Sequence, residues 1–276
     1  NAVYARLKLK QPDPIKLKNG YAHIPRKRFG QNFLHNKKII DQIIAAIAPC
    51  ANDHLLEIGP GYGALTESLI RSKPKFDCVE IDQDLVKFLN GRYSSTELNI
   101  IEQDILKFDV KTLNPQPNSL RVVGNLPYNI STPVLFHLLK RHELIFDMTF
   151  MLQLEVVQRI TAKAGEKNYG RLSLMLQYHC EVEHLFNVPS SAFTPAPKVG
   201  SAILQLKPYK NKPIEANDPK VLEIVIRTAF NQRRKTLRNS LKTLLRESKD
   251  ASSVDLSLRP EALSLKDYVE ISNSLT

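Results

Sequence analysis

With 276 residues the chain is long enough to bury a substantial core, as one large domain with a small one beside it. Its 39 Lys and Arg against 28 Asp and Glu leave a formal charge of +11, which points to a polyanionic partner, with nucleic acid ahead of a membrane surface. The cysteines, Cys50, Cys78 and Cys180, lack metal-ligand spacing, and no stretch reads as a membrane span or signal peptide. No metal and no membrane partner are expected, and the expected location is cytoplasmic.

In chain order, residues 1–25 form a basic arm with Pro12 and Pro14 and no sustained helical stripe, expected to order on binding or to stay solvated. The run Arg26-Lys27-Arg28-Phe29-Gly30-Gln31-Asn32-Phe33-Leu34 follows, then a helix over 37–48 that buries Ile39, Ile40, Ile43, Ile44 and Ile47. His54-Leu55-Leu56 opens a buried strand that leads into Glu57-Ile58-Gly59-Pro60-Gly61-Tyr62-Gly63, and a helix is expected over 64–70. A strand, a glycine-rich turn and a helix open a nucleotide-binding α/β fold, because glycine permits the tight turn and lets a ligand approach the backbone.

Further strands are expected at 76–82, 98–101, 120–123 and 147–152, with helices at 85–92 and 133–141 between them. This alternation argues for a parallel, doubly wound sheet. Helices at 155–163 and 171–178 come next, separated by a loop at 165–170. Pro195 and Pro197 forbid a helix around Phe193, which is expected in a stiff loop before a last strand at 201–207. Residues 208–219 read as a polar, proline-bearing linker to a small helical domain. That domain is expected to begin with one long helix from about Val221, burying Ile226, Phe230, Leu237, Leu241 and Leu244.

Glu57, Glu80, Asp104 and Asn125 each stand where a strand hands over to its loop. Any one of them could cap a helix, and Asp104 or Asp82 would do so well. In a parallel sheet all four converge on the crevice beside the topological switch point, which favours a ligand site. Glu80 lies 21 residues after Gly59, the spacing of an acid that accepts ribose hydroxyls, and this allows NAD as well as S-adenosylmethionine. Asn125-Leu126-Pro127-Tyr128 separates the two. The Asn side chain can accept a hydrogen bond from an exocyclic amine, and Pro127 leaves the Leu126 carbonyl as a second acceptor. Tyr128 offers a face on which an unstacked base can lie.

The runs at 29–34, 57–61 and 125–133, together with Phe193-Thr194-Pro195-Ala196-Pro197-Lys198-Val199 and Phe230-Asn231-Gln232-Arg233-Arg234-Lys235-Thr236, resemble the small-subunit ribosomal RNA (rRNA) adenine N6-dimethyltransferase family. The resemblance covers residue 26 to the C-terminus. It implies an α/β, Rossmann-like S-adenosylmethionine-dependent methyltransferase domain over 26–207 and a small C-terminal helical rRNA-binding domain over 208–276. It further implies dimethylation of N6 of two adjacent adenines in the 3′-terminal hairpin of 16S rRNA, within the small ribosomal subunit or its precursor, by a monomer. By the same resemblance Asn32, Leu34, Gly59, Glu80, Asp104 and Asn125 hold the cofactor. Asn125, Leu126 and Pro127 form the catalytic turn, and Tyr128 and Phe193 sandwich the target base.

Arg233, Arg234, Lys235 and Arg238 are expected on a basic helix face contacting phosphates, with Arg26, Lys27 and Arg28 as a second patch. A solvated face is the plainer reading of such a charge run. Competing functions are a large-subunit rRNA methyltransferase of the antibiotic-resistance type, a DNA adenine methyltransferase, a non-catalytic ribosome-assembly protein and an NAD dehydrogenase.

Overall fold

The computed structural model describes residues 31–245 and 253–276, with the backbone of two short strands before them. These strands, β1 (Ile15–Lys16) and β2 (Ala22–His23), pair antiparallel within the basic arm; Arg26, Lys27 and Arg28 lie outside the described residues. The main body contains β3 (Phe33–Leu34), α1 (Lys37–Ile47), β4 (His54–Ile58), α2 (Thr66–Leu69), β5 (Lys75–Glu80), α3 (Gln83–Asn90), β6 (Asn99–Glu102) and β7 (Leu120–Asn125). It continues with α4 (Ser131–Leu139), β8 (Ile145–Gln153), α5 (Leu154–Thr161), α6 (Arg171–His179), β9 (Cys180–Val188), β10 (Phe193–Thr194) and β11 (Ser201–Pro208).

Seven strands form one sheet in the order β6-β5-β4-β7-β8-β11-β9, with the first five parallel and β11 antiparallel to both neighbours. Both faces are covered, so successive residues of the central strands enter different cores. Leu56, Val79, Val122 and Phe150 pack under α4 and α5, while Leu55, Cys78, Val123 and Met151 pack against α1 and Leu65. At the edge of the sheet away from the glycine turn, Arg121 donates to Asp147 (2.7 and 3.0 Å), to Asp53 (2.9 Å) and to the Ile47 carbonyl (2.7 Å). One guanidinium thereby ties the end of α1 to β7, β8 and the residue that leads into β4.

Residues 219–276 carry α7 (Pro219–Asn231), α8 (Leu237–Ser240), α9 (Lys242–Leu245) and α10 (Leu265–Asn273). Leu222, Val225, Ile226, Leu237, Leu241 and Tyr268 form a core with Leu174, Met175 and Tyr178 of α6.

Several expectations need correction. The long C-terminal helix stops at Asn231; Leu237 and Arg238 donate their backbone N–H groups to the carbonyls of Leu258 and Leu256 (both 2.9 Å), which turns the chain aside. Ile226, Leu237 and Leu241 are buried as expected, but Ile226 lies on α7, Leu237 on α8 and Leu241 just after it. The helix over 64–70 shrinks to α2 and a following 3-10 turn over Ile70–Ser72. β9 was not expected at all: a bulge opposite Ile203 and Leu204 breaks its alternation, so its residues show no clean period of two. Phe193 stands not in a loop but in β10, paired antiparallel with β3.

Candidate functional site

The turn after β4 has three glycines in the left-handed region, Gly59 at φ 64°, Gly61 at 59° and Gly63 at 79°. A Cβ on Gly59 would project into open space, whereas one on Gly61 would lie 3.2 Å from the Phe33 ring. The Gly59 N–H donates to the Val79 carbonyl of β5 (2.9 Å), which carries the β4–β5 pairing one residue into the turn.

Beside this turn lies a cleft of about 220 Å³, bounded by Gln31–Leu34, the glycine turn and the ends of β5, β6 and β7. Glu57, Glu80, Asp104 and Asn125 all line it. So do Asn32, Leu34, Gly59, Leu126, Pro127 and Tyr128.

Each polar group is held by a local device. Glu80, 6% exposed, accepts N–H bonds from Ile81 (2.8 Å), Asp82 (2.9 Å) and Gly61 (3.3 Å), so its carboxylate braces both loops at the cleft floor. Burial raises its pKa, and the three N–H groups oppose that rise. Glu57 is 2% exposed and accepts from the Thr66 hydroxyl (2.6 Å). Burial pushes its carboxyl up to about 7, against the Thr66 bond and with help from the neighbouring Glu80 charge. Asp104 caps the turn over Ile105–Lys107 by accepting from the Leu106 N–H (3.0 Å), and it also borders the cleft. Capping and lining are compatible because a carboxylate has two acceptor oxygens.

Asn125 ends β7 and donates its Nδ2 to the Asn32 carbonyl (2.9 Å). A carbonyl can only accept, so the amide must face it with nitrogen, and among the described residues nothing donates to Oδ1. Among the described residues nothing donates to the Leu126 carbonyl either, although Leu126 itself is fully buried. Pro127 closes the turn by accepting from the Ile130 N–H (3.1 Å). Tyr128 is half-buried, its hydroxyl 2.6 Å from that of Ser201.

Phe193 departs from its expected position. It is 3% exposed, packs in the core with Leu34 and Val188, and does not line the cleft. Its pairing with Leu34 across β10 and β3 turns the ring inward, so the two faces of an aromatic sandwich are not open together in this conformation.

The basic residues of 233–238 stand away from the cleft, on the helical core. Arg234, Lys235 and Arg238 are exposed, whereas Arg233 donates to the Lys167 carbonyl (2.9 Å) and lies 3.6 Å from Glu261. They occupy the turn after α7 and the start of α8 rather than one continuous helix.

Residues that sequence reasoning passed over also shape the cleft. Phe33 stacks obliquely on Tyr62 (ring centroids 4.4 Å apart), and Tyr62 meets Phe88 edge-on at 5.5 Å. Gln31 donates to the Asp82 carboxylate (2.9 Å), and Asp82 caps α3. The signal for Gln31 and Phe33 was their presence in the Phe29–Leu34 run, but a pattern alone does not say which partner each one meets.

The cleft suits an adenosyl ligand: Glu80 and Asp104 supply acceptors, Ile81 and Ile105 supply apolar surface, and Gly59 keeps the backbone side open. Among the described residues no group of three His, Cys, Asp or Glu side chains could hold a metal ion, and no helix is long and apolar enough to cross a membrane.

The family model described as "Ribosomal RNA adenine dimethylase" matches residues 22–276. A protein named "Ribosomal RNA small subunit methyltransferase A" from Pseudomonas syringae pv. syringae is 57% identical over 258 residues, covering 93% of this chain and 96% of that one. Its namesake from Saccharophagus degradans is 52% identical over 271 residues, covering 98% and 99%. Among solved structures, a dimethyladenosine transferase from Plasmodium falciparum superposes with a TM-score of 0.72 at 26% identity, over 87% of this chain and 95% of that one. The 23S rRNA methyltransferase ErmE gives 0.67 at 25% identity, over 88% and 99%.

Proposed function

The chain belongs to the ribosomal RNA adenine dimethylase family, and we propose that it dimethylates N6 of two adjacent adenines in the 3′-terminal hairpin of small-subunit rRNA. It is an rRNA methyltransferase whose methyl donor is S-adenosylmethionine. The small-subunit substrate rests on the name shared by relatives at 52–57% identity; the 25% likeness to a large-subunit enzyme is the weaker guide. Residues 208–276 serve as the rRNA-binding unit, and the protein acts as a cytoplasmic monomer on the small subunit or its precursor.

S-adenosylmethionine brings a methyl group already activated by its sulfonium, so the protein's task is alignment rather than acid–base chemistry. Glu80 and Asp104 receive its ribose hydroxyls and adenine amine, with Asn32, Leu34 and Gly59 completing the holding surface. The target amine donates to Asn125 Oδ1 and to the Leu126 carbonyl while Tyr128 supports the base. Two acceptors draw the nitrogen away from its planar, conjugated form and turn its lone pair toward the methyl carbon. The bound cofactor would supply the methyl group and keep the sulfur–carbon electron pair as a thioether, and the proton released from nitrogen would pass to water. Acceptors that bond more strongly to the nitrogen as it becomes positive stabilise the transition state more than the ground state. Phe193 is the second aromatic side of the base contact in this reading, although its ring is buried beside β3 in this conformation.

The observation that carries this reading is the Asn125 amide: its nitrogen is committed to Asn32 and its oxygen is open, beside the open Leu126 carbonyl. The test is single-turnover methylation of unmodified small subunits, with large-subunit rRNA in parallel. Asn125→Ala should lower the rate by about a hundredfold or more, as when one transition-state hydrogen bond is lost from a dry site. Binding of RNA should hardly change. A variant working at nearly the wild-type rate, or methyl groups arriving on large-subunit rRNA instead, overturns the reading.

A further inference from the structure

Four residues join parts of the site that are far apart in sequence. Gln31 donates to Asp82, which follows the end of β5 (2.9 Å). The Asn32 carbonyl receives the Asn125 amide at the end of β7 (2.9 Å). Phe33 lies on Tyr62 and over Gly61 of the glycine turn. Leu34 pairs with Phe193, and the next residue, His35, donates its N–H to the Ala192 carbonyl (2.9 Å). This stretch crosses the cleft like a strap, touching the ends of two strands, the glycine turn and β10.

We propose that Gln31–Leu34 orients Asn125 for methyl transfer, and that Gln31 is a positioning residue acting through it. The inference rests on the functional reading given above. An Asn side chain can present either its oxygen or its nitrogen to a ligand, and only oxygen can accept from an amine. The Asn32 carbonyl decides between them, because it can take only the nitrogen. Its own position depends on the strap staying down, and the bond from Gln31 to Asp82 helps to hold it there. The backbone at Gln31 is otherwise outside the sheet: β3 begins two residues later and is only two residues long. Loss of the Gln31 bond therefore loosens the carbonyl that sets the amide, without removing any atom from the reacting centre.

The bond can be reversed chemically. Gln31→Glu sets one carboxylate against another. Adding Asp82→Asn supplies a donor again, now pointing the other way, and Asn serves as well as Asp in capping α3. The pair keeps its net charge. This swap distinguishes a specific hydrogen bond from general damage to the segment.

The experiment measures single-turnover methylation of unmodified small subunits at saturating S-adenosylmethionine, cofactor affinity by calorimetry, and thermal midpoint. Gln31→Ala should slow methylation roughly tenfold, a fraction of the hundredfold expected for a misplacement of about 1 Å. Cofactor affinity should move less than threefold and the midpoint should not shift. Gln31→Glu should be at least as slow, and Gln31→Glu with Asp82→Asn should return to within threefold of wild type. In an Asn125→Ala background, Gln31→Ala should add less than a twofold loss, because the residue through which it acts is gone.

An unchanged rate in Gln31→Ala, no rescue by the swapped pair, or equal losses in both backgrounds overturns the proposal. So does a loss accounted for by weaker cofactor binding, which would make Gln31 a cofactor ligand instead. If Asn125→Ala itself keeps its rate, the functional reading fails and this inference fails with it. If Asn125→Ala is slow and Gln31→Ala is not, only the strap is refuted.

Discussion

Gly124 precedes Asn125 in β7 and lies opposite Ile58, the residue before Gly59. A Cβ built on Gly124 would stand 2.5 Å from the Ile58 carbonyl oxygen. That neighbour is backbone in the middle of a parallel sheet and cannot rotate away. To restore a contact of 3.4 Å, about the shortest that is ordinary for a Cβ, β4 and β7 must separate by roughly 0.9 Å at their ligand ends. The two strands carry the glycine turn and Asn125, so the displacement falls between the cofactor's holding surface and the group proposed to receive the target amine. Gly124→Ala should therefore cost about 1–3 kcal/mol of stability, as overpacking does. It should also slow single-turnover methylation by about ten- to a hundredfold, the penalty for misalignment on that scale.

Gly165→Ala is the control: its φ of 86° strains an L residue, but its Cβ would meet nothing within 4 Å. It should lose about 1 kcal/mol of stability through backbone strain and keep its methylation rate. Chemical denaturation and single-turnover assays on both variants provide the measurements. If Gly124→Ala is destabilised yet methylates at the wild-type rate, the spacing of β4 and β7 does not set the alignment.

Glu57 holds its proton to about pH 7 in the folded protein, whereas its ordinary value is 4.5, so the folded state binds the extra proton between these limits. Stability from this group should be full below the ordinary value and fall as pH rises to about 7; thermal midpoints of Glu57→Gln should lack that decline, and parallel curves would disprove it. Arg121→Met leaves Asp147 buried without its partner and should cost about 3–5 kcal/mol in denaturation, with methylation per folded molecule unchanged. A smaller loss would mean that water reaches Asp147. Arg234 and Lys235 are exposed, while Arg233 already has Glu261 and the Lys167 carbonyl as partners. Neutralising Arg234 and Lys235 should flatten the salt dependence of rRNA binding by about one slope unit each, and Arg233→Gln should flatten it less; equal slopes would mark an ordinary solvated face.

The amino-acid sequence by itself determined the five parallel strands of the sheet and the meeting of four polar strand ends. Buried parallel strands read as short apolar runs, such as Leu55 with Leu56 and Val122 with Val123, and the alternation of strands with helices leaves few ways to connect them. Glu57, Glu80, Asp104 and Asn125 share one cleft because parallel strands end on one side, so their convergence needs no knowledge of packing. The glycine turn was legible for a similar reason: positive φ is costly for every other residue type.

Only the tertiary structure decided which atom each polar group spends on the protein and which it keeps. Asn125 and Asn32 are 93 residues apart, and nothing local to either reveals that the amide nitrogen is taken. The inward turn of Phe193 follows from its pairing with Leu34, again a distant partner. The stop of α7 before Arg233 was invisible because no glycine or proline marks it; the Gln232 N–H turns to the Ala229 carbonyl, and the first N–H groups of α8, on Leu237 and Arg238, bond to the distant carbonyls of Leu258 and Leu256. Periodicity records where apolar surface is buried, whereas these features depend on hydrogen bonds across the fold, which a linear pattern does not encode.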